Sequence, residues 1–152
     1  LGTLILLTSP DQWQALVRDP GLVHNAVEEI LRAPGRGGGG IPRYARADLE
    51  IDGVTVRARE LGLLDNGAAN HDPTVFPDPD RVDVTRPAAA HLTFGHGARY
   101  CLGAPLARIE LHAVLTQLTT RFPTLRLAVD VAELRMRRDT LTGGLAELPV
   151  HW

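Results

Sequence analysis

Phe94-Gly95-His96-Gly97-Ala98-Arg99-Tyr100-Cys101-Leu102-Gly103 is the stretch whose reading decides the fold of this 152-residue chain. It holds the one cysteine and runs into an apolar, helix-like pattern that starts near Ala104. Glycines at 95, 97 and 103 permit positive φ or close backbone approach, so the segment can form a tight bulge and lie flat against something large and planar. A cysteine just before a helix N-terminus feels the positive end of the helix dipole and meets unpaired N–H groups. Both favour the thiolate over a thiol of ordinary pKa about 8.5, and the thiolate is the form that grips a metal. Arg99, two residues earlier, can offer a planar fork to a carboxylate beside that metal. A lone cysteine is more commonly a buried structural residue. The weight therefore rests on the whole pattern, with Phe94, Gly97, Arg99, Cys101 and Gly103 as its fixed positions, and not on the thiol alone.

Composition narrows the alternatives. With 44% hydrophobic residues and a net charge of −2, the chain reads as globular, one domain or part of one, and large enough to bury a core. It carries no basic field, so nucleic acid is not an expected partner. All 16 basic residues are arginine, which removes Schiff-base chemistry and the phosphate-binding lysine of a P-loop. One cysteine makes no internal disulfide, leaving the cytoplasm as the default compartment. The apolar opening, residues 1–7, is stopped by Pro10 and Asp11, far short of the ~20 residues a membrane span needs. It also lacks a basic leader and a cleavage site. Because the chain opens at Leu1 inside what reads as a buried helix, an N-terminal portion is expected to be missing. Six scattered histidines and one cysteine give no zinc-ligand spacing, and His91 and His96 read as ordinary loop histidines. Ser9, the only serine, has no nucleophile-elbow glycines around it. Nor does any spacing pair a base with Cys101 for a cysteine hydrolase.

Working outward from the cysteine, residues 104–121 read as a buried helix, with Leu106, Ile109, Val114 and Leu118 among apolar positions on several faces. Residues 125–129 read as a strand, and Thr142-Gly143-Gly144 punctuates the last β segments. Upstream, 71–87 is an irregular proline-rich run, 66–70 one helical turn, and 61–64 a returning strand. Leu49-Glu50-Ile51 and Val54-Thr55-Val56 around Asp52-Gly53 predict a hairpin. Residues 22–33 form an amphipathic helix stopped by Pro34-Gly35. A short helix spans 11–18, and Ser9 is a candidate cap with Pro10 in its first turn. Glu29 and Arg32 share a face of the amphipathic helix, and such pairs are usually solvated surface contacts. The run from Gly35 to Gly40 satisfies Gly-x-Gly-x-x-Gly, but it follows a helix and precedes Ile41-Pro42, the reverse of a dinucleotide site's strand-to-helix order.

From Phe94 to Gly103 the chain matches, at every fixed position, the haem-ligand signature Phe-x-x-Gly-x-Arg-x-Cys-x-Gly of the cytochrome P450 family, which it resembles. Glu29-x-x-Arg32, some seventy residues earlier, resembles the other hallmark of that family, where the pair is buried and locked to an arginine of a later loop. A buried cluster of this kind persists only when fully paired. The proline-rich run is similar to the family's meander, and Arg81 falls where the locking arginine belongs, with Arg86 as the fallback. Arg43-Tyr44-Ala45 is similar to the segment whose arginine reaches a haem propionate. The glycine run reads either as a mobile pocket edge or as a flexible loop without a role, and the Thr142 turn as a hairpin tip that dips towards substrate.

The resemblance covers nearly all of the chain, in the family's own order, and is nearest to the soluble bacterial branch that modifies secondary metabolites. It implies an α+β, mainly helical fold, with residues 1–152 as the C-terminal portion of a single cytochrome P450 domain. It also implies a haem-thiolate monooxygenase, an oxidoreductase carrying haem b that inserts one oxygen atom from O₂ into a small organic substrate, with electrons from a ferredoxin-type partner. A monomer is expected. Cys101 would ligate iron and favour O–O cleavage, Arg43 and Arg99 would pair with propionates, and Phe94 would shield the sulfur. Gly103 belongs to the cofactor loop, while Glu29, Arg32 and Arg81 hold the scaffold. The oxygen-activating helix of the family lies upstream of Leu1. The alternative is accordingly an inactive haem-binding fragment or truncated gene product.

Overall fold

Val23, Ala26, Val27 and Ile30 recur at the spacing that puts one side of a helix against a core. In the computed structural model, which describes residues 1–35, 40–88, 90–137 and 143–152, all four are buried on helix α3, Val23–Arg32. Two short helices precede it, α1 (Gly2–Leu7) and α2 (Pro10–Arg18). Pro10 occupies the first turn of α2 as expected, but Ser9 makes no side-chain capping bond. Asp19 instead accepts from the Gly21 N–H at 2.9 Å, turning the chain into α3. Leu6, Leu7, Trp13 and Leu16 from α1 and α2 close over α3. Trp13 and Leu16, 2% and 0% exposed, each contribute about 1.5–3 kcal/mol by burial.

The predicted hairpin region folds as a ladder within a ladder. Strand β1 (Ile41–Tyr44) pairs antiparallel with β4 (Leu61–Leu64), in the register Ile41↔Leu64 to Tyr44↔Leu61. Between them β2 (Leu49–Ile51) and β3 (Val54–Val56) form the hairpin. Asp52 and Gly53 have φ of 47° and 76°, the left-handed pair that a two-residue hairpin turn requires. A one-turn helix α4 (Asn66–Ala69) follows, capped where Asp65 accepts from the Ala68 N–H at 2.9 Å.

Helix α5, Ala104–Arg121, has the expected bounds, but the expectation that it is buried is corrected. Only Ala104, Leu115 and Thr119 are buried, whereas Leu106 and Ile109 are 60% and 66% exposed. Burial depends on what lies against a surface as well as on its composition, and among the described residues only α3 and α2 pack extensively along one side of α5. The predicted strand at 125–129 shrinks to β5 (Arg126–Leu127), paired with β6 (Val150–His151). Two long-range bonds fasten the layers: Trp13 Nε1 donates to the Pro123 carbonyl at 3.1 Å, and the Val84 N–H donates to Gln12 Oε1 at 2.8 Å. Most of the glycine run and Thr142 of the terminal turn lie outside the described residues. Gly143 and Gly144 have φ of 55° and 119°, and Met136 bridges Leu145.

Candidate functional site

Gly95 and Gly97 have positive φ, 75° and 73°, the left-handed region that glycine enters without a Cβ penalty. The Cys101 N–H donates to the Phe94 carbonyl at 3.0 Å, and Tyr100 N–H to the Gly97 carbonyl at 3.0 Å, so the loop is closed by its own backbone. Cys101 emerges exposed, and its carbonyl accepts from the first N–H of α5 at 3.2 Å. Gly103 is the N-cap of α5 and does not use the left-handed region. Its φ is −82°, and among protein atoms an added Cβ would make only an ordinary 3.8 Å contact with Cys101 Sγ.

The loop forms one wall of an open basin of about 740 Å³. Arg43, on β1, lines the same basin as Arg99, Phe94 and Cys101. Four residues that the sequence singled out, from positions 43 to 101, thus converge on one space. Ile41, Leu64 and Leu92 add apolar surface. Both arginines are exposed, and the one side-chain bond described for Arg43 is to the Pro42 carbonyl at 3.1 Å. The Phe94 ring meets Tyr100 edge-on at 6.4 Å and His91 at 6.1 Å.

Behind this wall lies the Glu29 and Arg32 pair. Each side chain is 2% exposed, so the pair is no surface contact. Arg32 Nε and Nη2 both donate to the Glu29 carboxylate at 2.8 Å. Its remaining hydrogens go to the carbonyls of Asn70 and Pro79 at 2.9 Å and of Arg81 at 3.5 Å, satisfying all five donors of a guanidinium. Burial pushes the Glu29 carboxyl up, but the Arg32 bonds, the Asp83 N–H at 3.0 Å and the charges of Arg32 and Arg86 outweigh it and hold the pKa below its ordinary value. The guanidinium that joins this pair is that of Arg86, whose Nε lies 3.3 Å from Glu29. The assignment of Arg81 is corrected. Its side chain is exposed and its carbonyl faces inward, accepting from Arg32 and from Arg86, so the loop direction at 81 turns the guanidinium out.

Sequence reasoning missed two features. Asn70, 3% exposed, links the buried pair to the cysteine loop: its carbonyl accepts from Arg32, its Oδ1 from the Leu92 N–H at 2.6 Å, and its Nδ2 donates to Thr93 at 3.0 Å. The second feature is a separate charge cluster. Arg108 on α5 donates twice to Glu28 on α3, at 2.7 and 2.8 Å, and once to the Tyr100 hydroxyl at 2.9 Å. The Arg108 bonds hold the Glu28 carboxyl below its ordinary range, and Glu28 in turn holds Arg108 firmly protonated. His91, expected to be an ordinary loop histidine, is buried, with Nε2 3.2 Å from Glu28 in ion-pair reach but not aligned as a hydrogen bond. Burial lowers its pKa against the pull of Glu28.

A mixed helix and strand chain with a buried Glu-x-x-Arg pair, a meander locked onto it, and a cysteine loop opening on a basin between two arginines has the architecture of the haem-thiolate proteins. The chain belongs to the cytochrome P450 family, whose model matches residues 10–140. It is 50% identical over its whole length to cytochrome P450 105A3 of Streptomyces carbophilus, covering 37% of that relative. It is 46% identical to 6-deoxyerythronolide B hydroxylase of Saccharopolyspora erythraea, where 99% of the chain covers 37% of the relative. The solved structure of Streptomyces peucetius CYP105P2 in complex with a biphenyl compound superimposes with a TM-score of 0.91 at 49% identity, covering all of this chain and 38% of that one. The chain thus spans under two fifths of the length of these relatives. Haem b is the cofactor of this family, and the donor set here fits it. One sulfur, an apolar surface and two guanidinium groups suit an apolar macrocycle bearing two carboxylates. Among the described residues no helix is long and apolar enough to cross a membrane, and no cluster of three or more His, Cys, Asp or Glu could hold a separate metal ion.

Proposed function

We propose that this chain supplies the cysteine side of the haem site of a monooxygenase that acts on a small organic substrate of secondary metabolism, with electrons delivered by a ferredoxin-type donor. The observation that carries the reading is the convergence of Cys101, Arg99 and Arg43 on one basin. Haem, when bound, supplies the O–O cleavage and oxygen-atom transfer, which a thiolate ligand favours. Cys101 would supply the sulfur that holds the haem iron, and it is fixed at the loop end where its N–H donates to the Phe94 carbonyl. Arg43 and Arg99, which line the basin from separate elements, would pair with the two carboxylates of the haem. Phe94, in the same basin lining as Cys101, would shield the sulfur, and Gly103 passes the chain from loop to helix. Glu29, Arg32 and Arg86 hold the meander behind the site without touching the cofactor.

The test is the absorption spectrum of the haem-loaded protein, reduced and exposed to carbon monoxide. A strongly red-shifted Soret band that disappears in Cys101→Ser supports the assignment. A band at the position typical of neutral ligands, or one that Cys101→Ser leaves unchanged, overturns it.

A further inference from the structure

Besides the buried Glu29 cluster, one guanidinium ties three separate parts of the cysteine wall together. Arg108 sits on α5, little more than one turn beyond the loop. Its Nε and Nη2 grip the Glu28 carboxylate of α3, its Nη1 donates to the Tyr100 hydroxyl, and its plane lies 5.0 Å from the Phe94 ring centroid. Tyr100 immediately precedes Cys101, and Phe94 supplies the carbonyl that accepts the Cys101 N–H at 3.0 Å. Arg108 therefore touches a residue at each end of the loop, and Glu28 fixes it to a different helix. A guanidinium is suited to this because its planar fork can serve a carboxylate with one edge while its other edge and its face remain available.

We propose that Arg108, oriented by Glu28, is a positioning residue that sets the placement of the Cys101 sulfur by holding Tyr100 and Phe94. The inference rests on the reading of Cys101 as the axial ligand. Arg108 touches neither the cofactor basin nor the sulfur; it acts through the loop's two ends. With the clamp released, α5 still begins at Ala104 and the loop still carries its cysteine, but the sulfur samples a wider range of positions and the thiolate bond to iron weakens.

The experiment compares Arg108→Leu, Arg108→Lys and Tyr100→Phe in the haem-loaded protein. Three quantities are read: the fraction of the reduced carbon monoxide complex with the thiolate-type Soret band, the midpoint potential, and the rate of haem transfer to apomyoglobin. In Arg108→Leu a several-fold larger share of the complex should show the neutral-ligand band, the midpoint potential should move, and haem should leave about 10-fold faster, the lower end of what lost support behind a metal ligand costs. Arg108→Lys keeps the charge but not the fork and should fall between. Tyr100→Phe removes one partly exposed hydroxyl, should leave the unfolding midpoint near the parent's, and should shift the band and the potential in the same direction by less. Should Arg108→Leu fail to fold, Tyr100→Phe decides. Parent-like Soret fraction and potential in these variants, whatever their stability, overturn the positioning role while leaving the ligand assignment intact. A parent protein without a Cys101-dependent thiolate band would instead overturn the site reading beneath it.

Discussion

Replacing Arg32 with alanine strips a buried network of its centre, and the cost can be worked from the contacts. Two bonds run to Glu29, one each to the carbonyls of Asn70 and Pro79, and a longer one to that of Arg81. Both members of the pair are 2% exposed, so solvent does not screen the loss. Leaving one partner of such a pair uncompensated costs about 3–5 kcal/mol. Each buried carbonyl left without a donor adds about 1–3 kcal/mol, although neighbouring losses do not simply add. The floor is about 3 kcal/mol against a total stability of about 5–15 kcal/mol. With a urea slope near 2 kcal/mol/M, the unfolding midpoint should fall by about 1.5 M. Urea titration followed by tryptophan fluorescence suits the purpose, since Trp13 is 2% exposed. Arg86→Ala is the internal comparison. Its side chain is 13% exposed and 3.3 Å from Glu29, so its loss should cost clearly less. A midpoint for Arg32→Ala within about 0.3 M of the parent, roughly 0.6 kcal/mol at that slope, would refute the claim that the pair carries the meander.

Acid should weaken the fold in two stages with the same sign. His91 lies below its ordinary 6.5, so the unfolded chain binds more protons, and stability falls as pH drops through the window beneath 6.5. Glu28 and Glu29 lie below their ordinary 4.5 and add a second loss as pH falls below that value. Urea midpoints should decline from about pH 7 to 5, and His91→Gln should flatten that portion; a flat parent curve would contradict the burial of His91. Gly67→Ala places a Cβ against the Gly35 carbonyl oxygen, backbone that cannot swing aside, and should cost about 1–3 kcal/mol by overpacking. Because Asn66 and Ala69 of the same turn line the basin, haem uptake should fall with it. Parent-like stability would show that the approach of the two segments is loose.

What the sequence made legible was whatever local chemistry decides. Asp52-Gly53 announced its own turn, the positions 23, 26, 27 and 30 their own helix face, and the cysteine loop its left-handed Gly95 and Gly97. Where a side chain's partner sits far away in sequence, local patterning was silent, and it was the family resemblance that brought Arg43 to the same basin as Cys101. Arg81 and Arg86 lie in a run without periodicity, so nothing local tells which guanidinium turns inward, and the structure chose Arg86. Glu28 and Arg108 are eighty positions apart, and neither residue looks unusual on its own helix. Asn70 read only as the end of a helical turn, because its three long-range bonds belong to segments that the chain brings together later. Helix α5 was delimited correctly from its apolar run, but that run says only that the surface seeks cover and not which residues provide it.

Glu28 and Glu29 stand side by side, yet they serve different neighbours. Successive residues of a helix point about 100° apart, and here one bearing leads to Arg108 and the other to Arg32 and Arg86. The last turns of α3 therefore work like a key cut on two sides. Deleting one residue earlier in the helix would rotate both carboxylates together, presenting each to the wrong lock and leaving several cations unanswered at once. Length within α3 is thereby fixed more tightly than composition, whereas the exposed turn at Asp52 and Gly53 can absorb an added residue with little consequence.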